Sequence, residues 1–387
     1  MKQILHVFSI LSTAEAFFDG QFKYLGNSGL SIHHIASQSD HVKSFSQRNN
    51  TKYDEIEISR SISPLKDIKA VISICSYIKK EKIDIVVGHT PKGALVSMIA
   101  SFIMRVPRRI YYRHGLIYTT KTGIARFILK SVEKLVSSLS TQIISVSPSM
   151  AALCVKDKIN TPGKQQLIGK GTCGGIDTNN KFNPATTDQT KIEKLRDDLK
   201  IQIDDFVVGF AGRLCKDKGI EELVEGFNLL QKKYPEKKLT LLLVGNEDVR
   251  DKLNESIIRE IKSNDNIVQT GWVRNEDMKY YYSLMSVFIF PSYREGFGMS
   301  VIEASAMEVP VLVSKSHGCI DTIVENKTGL YINLSAEGVA EGVSGLLDDD
   351  LRVKLSKAGR TWVAENFDQT VLWPEIITVP LKSKRVL

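Results

Sequence analysis

The C-terminal half of the chain alternates short apolar segments with longer amphipathic ones, and this alternation restricts the fold more than any other feature. The apolar segments end in turn residues such as Gly245-Asn246, and the segments between them have helical periodicity. Short strands that alternate with helices predict a parallel, doubly wound α/β sheet. The predicted strands are residues 206–211, 238–244, 266–273, 287–290 and 309–314.

The N-terminal half repeats this pattern less regularly. Its first apolar run also resembles a short signal peptide, but the polar His6 and Ser9 interrupt the run and favour a buried strand. No run approaches the ~18 consecutive apolar residues that a membrane-spanning helix needs. The predicted strands are residues 3–10, 31–37, 54–58, 83–87, 108–113 and 141–146.

A polar segment that begins at Asp188 and lacks apolar periodicity separates the two halves. We therefore predict an N-terminal domain at 1–187, a C-terminal domain at 188–365 and a terminal segment at 366–387. Doubly wound domains bind ligands at the carboxyl ends of their strands. The chemistry is thus expected in segments that directly follow a strand.

Charge and cysteine content limit the functions that the chain can have. Residues 1–185 carry 25 Lys and Arg against 12 Asp and Glu, whereas the remainder carries 27 against 32. A basic half indicates an anionic partner, and charge alone leaves nucleic acid, a membrane surface and a phosphorylated lipid open. The five cysteines are scattered without a Cys-x-x-Cys pair, which argues against a disulfide framework and a zinc site and favours a reducing compartment.

The segment Gly212–Gly219 follows a predicted strand and precedes a helix, so its side chains are expected at the carboxyl end of that strand. Arg213 offers a planar guanidinium and Lys218 a point charge. Together they suit two adjacent phosphates. Two cations in a solvated turn are the alternative interpretation.

The segment Pro291–Ala304 also follows a predicted strand. Gly296 and Gly298 permit close approach of the backbone to a ligand, and the free N–H groups of the helix that follows favour a phosphate. Glu295 suits the hydroxyl groups of a sugar, and Glu303 on the helix suits a ribose diol. Solvated surface carboxylates are the alternative interpretation.

Arg213 and Lys218, followed by the pair Glu295-x7-Glu303, resemble the donor-site signature of glycosyltransferase family 4. Members of this family are retaining enzymes of the GT-B fold. The likeness covers roughly residues 83–368 and is strongest in the C-terminal half. Two further segments carry the family resemblance, Gly318–Asp321 and Thr328–Leu330. Three others are similar to enzymes that build bacterial capsular and O-antigen polysaccharides: His89–Gly93, Arg113–Gly115 and Gly174–Asp177.

The resemblance implies two facing Rossmann-like domains with parallel sheets, the first binding the acceptor and the second the nucleotide-sugar donor. It also implies that the segment 366–387 crosses back to the first domain. The expected reaction is hexosyl or N-acetylhexosaminyl transfer, with a UDP-linked N-acetylhexosamine as the expected donor, onto a lipid-diphosphate-linked saccharide in surface polysaccharide synthesis. A sugar-nucleotide epimerase or a phosphorylase of the same architecture is the alternative. Ser9–Ala14 stands where the family often has a paired-glycine loop, which leaves the acceptor side undefined.

The same resemblance implies a role for each site residue. Arg213 and Lys218 would neutralise the donor diphosphate and stabilise the leaving group, which is electrostatic catalysis without a metal or another cofactor. Glu295 would hold hydroxyl groups of the transferred sugar, and Glu303 the ribose. His114 would face the donor sugar. The expected catalytic residues are thus His114, Arg213, Lys218 and Glu295. The remaining expected donor-binding residues are Gly296, Phe297, Gly298 and Val273.

A basic amphipathic helix is predicted at residues 121–140. Its attraction to anionic headgroups would contribute roughly 1 kcal/mol per basic residue near the surface. This fits a cytoplasmic, peripheral protein at the inner face of the plasma membrane, and a solvated helix face is the alternative. The apolar stripe is Ile124, Ile128, Val132, Leu135 and Leu139, the basic row is Arg126, Lys130 and Lys134, and further charge is expected from Arg105, Arg108, Arg109, Arg113, Lys382, Lys384 and Arg385.

Two other classes of protein are disfavoured. A dinucleotide-dependent oxidoreductase needs Gly-x-Gly-x-x-Gly between a first strand and a helix, with an acidic residue ~20 positions further on, and neither half has this pattern. A nucleic-acid-binding protein would show a known motif, or aromatic residues interleaved with its basic ones, and the sequence has neither.

Overall fold

A computed structural model describes residues 1–61 and 63–381 of the chain. Its contacts divide into two compact units. Unit 1 is residues 1–175 together with the segment that begins at Thr370, and unit 2 is residues 176–369. The basic residues Lys382, Lys384 and Arg385, predicted to meet a membrane, lie outside the described residues.

Unit 1 contains a parallel seven-stranded sheet in the order β3-β2-β1-β4-β5-β6-β7. The central strands are buried on both faces, as expected for a parallel sheet that helices cover on two sides. The strands are β1 Lys2–Val7, β2 Leu30–Ala36, β3 Lys52–Glu55, β4 Ile85–Gly88, β5 Arg108–Arg113, β6 Gln142–Ser145 and β7 Gln165–Gln166. The α-helices are α1 Leu11–Phe18, α2 Gln21–Asn27, α3 Val42–Asn49, α4 Pro64–Glu81, α5 Pro91–Ile103, α6 Gly123–Leu139 and α7 Pro148–Lys156.

The turn from β4 into α5 is tightly built. Pro91 begins the helix, where its missing N–H removes no hydrogen bond, and the Thr90 hydroxyl accepts from Gly93 N at 3.3 Å. A Cβ at Gly88 would lie 2.8 Å from Ala94 Cα, so only glycine lets α5 pack this closely on the end of β4. The turn therefore fixes the position of His89.

Unit 2 contains a parallel six-stranded sheet in the order β10-β9-β8-β11-β12-β13, which is the strand order of dinucleotide-binding doubly wound domains. The order reverses between β8 and β11, and ligands of such sheets bind at the carboxyl ends of the strands at this point. The strands are β8 Phe206–Ala211, β9 Leu239–Val244, β10 Ile267–Gly271, β11 Val287–Phe290, β12 Val311–Ser314 and β13 Leu330–Ile332. The α-helices are α8 Gln189–Asp198, α9 Ile220–Lys233, α10 Glu255–Ser263, α11 Met278–Tyr282, α12 Met299–Ala306, α13 Ala336–Gly345 and α14 Asp349–Phe367.

The predicted doubly wound architecture is confirmed in each unit. The predicted strands 206–211 and 287–290 have the bounds of β8 and β11, whereas the predicted 266–273 ends two residues early, at Gly271. The strands predicted for the C-terminal half did not include β13, because a strand of three residues is too short to show periodicity.

Unit 2 begins earlier than the predicted boundary after residue 187. Ile176 N donates to the Phe367 carbonyl at 2.9 Å, and Thr178 N donates to the Asp368 carboxylate at 2.9 Å. These bonds attach the segment 176–187 to the end of α14. Hydrogen bonds across so long a separation in sequence leave no local signal, and the prediction followed the polar run instead.

The last described helix, α15 Gln369–Leu381, packs on unit 1. Trp373 Nε1 donates to the Gly174 carbonyl at 2.9 Å, and its ring lies 5.2 Å from that of Tyr24. The Glu375 carboxylate accepts from Gly169 N at 2.8 Å. This last described helix thus belongs to the N-terminal unit.

Helix α6 turns an apolar side outward. Ile124 is 80% exposed and Phe127 73% exposed, whereas the polar Glu133 is buried against the sheet. Glu133 lies 3.4 Å from Arg113 Nε and accepts from the Tyr111 hydroxyl at 2.9 Å. Only part of the apolar stripe is therefore a core face: Val132 and Leu139 pack against the core of the unit, whereas Ile124, Ile128 and Leu135 are exposed. Arg113, predicted as surface charge, is fully buried because it is the partner of Glu133.

Candidate active site

Two loops of unit 2 meet at the carboxyl ends of β8 and β11. Gly219, with a φ of +68°, lies so close to Pro291 that a Cβ would overlap the Pro291 carbonyl oxygen. Gly245 packs in the same way on the carbonyl of Gly212. Only glycine can occupy these positions, and the segments after β8, β9 and β11 are brought together as a result.

Lys218 and Glu295 form an ion pair where these loops meet, with side chains only 13% and 14% exposed. Lys218 Nζ also lies 5.3 Å from the centre of the Phe290 ring. Burial, followed by the positive charge of Arg213, lowers the pKa of Lys218 to about 8. A cation that is poorly hydrated and close to a second cation suits a dianionic ligand.

Arg213 is 53% exposed, and its guanidinium forms an ion pair with the nearly buried Asp248. The Asp248 carboxylate also accepts from Arg250 N at 3.0 Å. The hydrogen bond from Arg250 N, together with Arg213, lowers the pKa of Asp248. Asp248 therefore stays ionised and fixes the direction of Arg213. The sequence interpretation missed this residue, since a single Asp after a Gly-Asn turn reads as an ordinary surface carboxylate.

The N-terminus of α12 completes the cluster, and Gly298 is its N-cap residue. The preceding loop is held from behind by Gly318, where a Cβ would lie 2.6 Å from the Glu295 carbonyl oxygen. Phe297 is 5% exposed and packs on Phe367 with ring centres 5.3 Å apart. The loop is thus held between these contacts, and within the turn Met299 N donates to the Phe297 carbonyl at 2.9 Å and Val301 N to the Gly298 carbonyl at 3.0 Å. The positive end of the helix dipole favours an anion at this point.

Glu303 lies further along α12 and is half-buried. Its Oε2 accepts from the Tyr282 hydroxyl at 2.8 Å. Burial raises the pKa of Glu303, and the charge of Lys181 opposes this shift. Tyr282, which the sequence interpretation missed, holds the carboxylate in one orientation.

Two of the predicted site residues, Val273 and His114, follow strands other than β8 and β11. Val273 follows β10, which is separated from β8 by β9, and it is half-buried beside the exposed Trp272. His114 belongs to unit 1 and follows β5. Its ring stacks on Tyr112 with centres 4.9 Å apart, and its nitrogens face His89 Nδ1 at 2.9 Å and Cys173 Sγ at 3.5 Å. Burial lowers the pKa of His114 to about 3, so the ring is neutral.

Residues 1–61 and 63–381 contain no group of three or more His, Cys, Asp or Glu side chains arranged to hold a metal ion. Over the same ranges, every helix is too short or too polar to span a bilayer.

Comparison with known proteins gives family matches to both halves of the chain. The family described as "Glycosyl transferases group 1" matches residues 191–362, and the family described as "Glycosyl transferase 4-like" matches residues 6–147. The capsular polysaccharide biosynthesis glycosyltransferase CapM of Staphylococcus aureus is 32% identical over 377 residues, which are 97% of this chain and 96% of CapM.

More distant relatives agree with these matches. The UDP-Gal:alpha-D-GlcNAc-diphosphoundecaprenol alpha-1,3-galactosyltransferase of Escherichia coli is 24% identical over 90% of this chain and 88% of its own length. The solved structure of Anabaena HepE in complex with UDP-glucose aligns with a TM-score of 0.80 over 98% of this chain and 99% of HepE, at 16% identity. The resemblance found in the sequence is confirmed: the chain belongs to glycosyltransferase family 4 and has the GT-B fold.

Proposed function

We propose that this chain is a retaining glycosyltransferase that moves a sugar of the N-acetylhexosamine type from a UDP-sugar onto a lipid-diphosphate-linked saccharide, in the synthesis of a bacterial surface polysaccharide. The observation that carries the proposal is the cluster of Lys218, Arg213 and Glu295 beside the N-terminus of α12. Cations, a helix N-terminus and a carboxylate in one place match the diphosphate and the hydroxyl groups of a nucleotide sugar.

In the proposed reaction the donor diphosphate is the leaving group. The bond between the anomeric carbon and the phosphate oxygen breaks, and the acceptor hydroxyl oxygen forms the new bond on the same face of the sugar. The acceptor proton passes to the leaving phosphate. Lys218, Arg213 and the amides near Phe297 and Gly298 stabilise the negative charge that develops on the diphosphate, which is the role that a metal ion has in other enzymes.

The remaining roles follow from the same assignment. Glu295 accepts hydrogen bonds from hydroxyl groups of the transferred sugar, and Glu303, held by Tyr282, accepts from the ribose. His114 contacts the transferred sugar, and Val273 contacts the nucleotide. These last two roles rest on the resemblance to the family.

The relatives support the choice of donor and acceptor. The Escherichia coli relative is named for a UDP-sugar donor and a diphosphoundecaprenol acceptor, and CapM is named for capsular polysaccharide synthesis. The HepE structure contains UDP-glucose. A UDP-sugar and a lipid-linked acceptor are therefore the first substrates to test.

We assign the outward side of α6 to a membrane surface, which makes the protein peripheral at the cytoplasmic face of the plasma membrane. Ile124, Phe127 and Ile128 are between 46% and 80% exposed, and exposed apolar side chains on a basic helix are typical of interfacial helices. The basic row is partly engaged within the unit, because Lys130 lies 3.3 Å from Asp157 and Arg126 lies over the Tyr118 ring. The apolar side chains are therefore expected to contribute more to lipid binding than this row does.

The test is turnover of a lipid-linked acceptor with a panel of UDP- and GDP-sugars. Lys218→Ala and Glu295→Ala are each expected to lower turnover at least ~100-fold, the scale of removing a preorganised charge contact. Lys216→Ala is the matched control, since Lys216 lies in the same turn but is half-exposed and lies 3.6 Å from Glu221 instead. Near-normal rates in folded K218A or E295A protein, or release of the nucleotide at the same rate without an acceptor, would contradict the proposal.

A further inference from the structure

Three histidine side chains form a continuous row within unit 1. His6 lies on β1, His89 directly follows β4 and His114 directly follows β5, and these strands are neighbours in the sheet. His6 Nδ1 lies 2.9 Å from His89 Nε2, and His89 Nδ1 lies 2.9 Å from His114 Nε2. His114 Nδ1 in turn lies 3.5 Å from Cys173 Sγ. The row thus runs from β1 to the segment before unit 2.

The row is enclosed by aromatic rings. His89 stacks on Phe8 with ring centres 4.2 Å apart and on Tyr112 at 5.2 Å, and His6 lies 4.6 Å from Phe22. His6 is 6% exposed and His89 is fully buried. Burial lowers the pKa of His6 and of His89 below the physiological range, and it raises the pKa of the Cys173 thiol to about 12. All four groups are therefore uncharged at neutral pH.

A neutral imidazole has one N–H and one lone pair, and each nitrogen-to-nitrogen contact needs one of each. Two proton arrangements satisfy the whole row. In the first, His6 donates to His89, His89 to His114 and His114 to the sulfur. In the second, the thiol donates to His114 Nδ1, His114 to His89 and His89 to His6. Any mixed arrangement leaves two N–H groups or two lone pairs facing each other, so the tautomer of His114 depends on those of the other two histidines.

We propose that His89 and His6 are positioning residues that hold the imidazole of His114 in one tautomer and one ring orientation for the transfer reaction. This inference rests on the proposed contact of His114 with the transferred sugar. The sugar ring gains positive charge as its bond to the diphosphate breaks, and an uncharged imidazole does not oppose that charge. A group that is rotated or shifted by a fraction of an ångström loses much of its effect on a transition state.

The experiment compares two substitutions of His89. His89→Phe keeps a ring between Phe8 and Tyr112 but removes both hydrogen bonds, whereas His89→Gln retains one donor and one acceptor. We expect H89F to lower kcat at least ~10-fold with the donor KM within about twofold, as for a group misplaced only in the transition state. H89Q is expected to restore most of the rate. His33→Phe is the control, because His33 is a buried histidine of the same unit that bonds instead to Tyr77 and Gln3.

The second measurement separates positioning from a purely structural effect. Imidazole 15N spectra of histidine-labelled wild-type protein should show His114 as a single neutral tautomer, and H89F should change this pattern whereas H33F should not. If H89F does not fold, His6→Phe, at the far end of the row, must change the His114 signals in the same way. An averaged tautomer in the wild type, or an unchanged kcat and unchanged His114 signals in H89F, would overturn the inference.

The result can be distinguished from failure of the proposed function. Near-normal turnover in His114→Ala would remove the role of His114, and with it the positioning role of its neighbours. The donor-site proposal would still stand if K218A and E295A lose activity. Loss of activity in H114A together with normal activity in H89F would reject the inference alone.

Discussion

Acidification from pH 7.5 to 5.5 should destabilise unit 1 by up to about 7 kcal/mol, because five of its histidines, four of them buried and His114 half-buried, are held without charge. Burial is the main cause that lowers the pKa of each in the folded state, to about 3 for His6 and His114, to about 4 for His33 and His34, and well below the ordinary value for His89. In the unfolded chain each would titrate near its ordinary value of about 6.5.

The sign follows from proton binding. At pH 5.5 the unfolded chain holds about 0.9 proton on each of these histidines and the folded unit almost none, so the unfolded state binds more protons and stability falls as the pH falls. Each histidine then contributes about 1.4 kcal/mol between pH 7.5 and 5.5. Glu133, whose pKa is raised by burial, acts in the opposite direction and makes the total an upper value. A loss of this size is comparable to the whole stability of a typical domain, about 5–15 kcal/mol.

The assay is hydrogen exchange measured by mass spectrometry at both pH values and corrected for intrinsic exchange rates. The protection of peptides from β1, β4 and β5 is compared with that of peptides from β8 and β11. The unit 1 peptides should lose protection first. The free energy of unfolding, measured with urea between pH 7.5 and 5.5, should depend on pH with a slope that approaches about four to five protons. His41→Gln, at an exposed position of unit 1, is the control and should keep this slope, whereas H89F should reduce it by about one proton. A wild-type slope below about two protons, or earlier loss of protection in unit 2, would refute the assignment of neutral buried histidines.

Three further predictions concern the site and the surface. The value of kcat/KM should fall above pH 8, because Lys218 has a pKa of about 8 and loses its positive charge as the pH rises. A kcat/KM that stays constant up to pH 10 would contradict the role of Lys218. Asp248→Asn should raise the KM for the donor about 10-fold, because it removes the partner that directs Arg213. Asp251→Asn is the comparison, since it removes a carboxylate that accepts from Asp217 N instead. An unchanged KM in D248N would reject this account. A double substitution Ile124→Ser and Phe127→Ser should reduce binding to anionic vesicles at least ~10-fold without lowering thermal stability, and unchanged vesicle binding would exclude α6 as the lipid-binding surface.

The sequence predicted those parts of the fold and site that depend on local patterns. The doubly wound sheets follow from apolar runs that alternate with helices, and Lys218, Glu295 and Gly298 could be placed together because each follows a strand of one parallel sheet. Asp248 and Tyr282 were missed, because their importance comes from the side chains that they meet, Arg213 and Glu303. Periodicity alone does not say which side of a helix meets the sheet.

Helix α6 shows why that orientation was not predictable. Its apolar residues form the stripe that would normally be assigned to the core, yet Glu133 occupies the buried side. The buried carboxylate is stabilised by Arg113, whose guanidinium also donates to Ser137 at 2.8 Å. This polar anchor lies beside Val136, which packs in the hydrophobic core of the unit. This anchor involves a residue twenty positions away on β5, and no local pattern contains it.

In the proposed donor site of unit 2, three cations are each paired with a carboxylate before any ligand binds. Lys218 is paired with Glu295, Arg213 with Asp248 and Arg294 with Asp217. A poorly hydrated cation without a partner would cost several kcal/mol, so the carboxylates stabilise the empty site. In the proposed reaction the diphosphate takes the place of Glu295 as the partner of Lys218, and the released carboxylate needs new donors. The sugar hydroxyl groups of an intact donor supply them and a bare nucleoside diphosphate does not, so the same ion pair that stabilises the empty site also favours substrate over product.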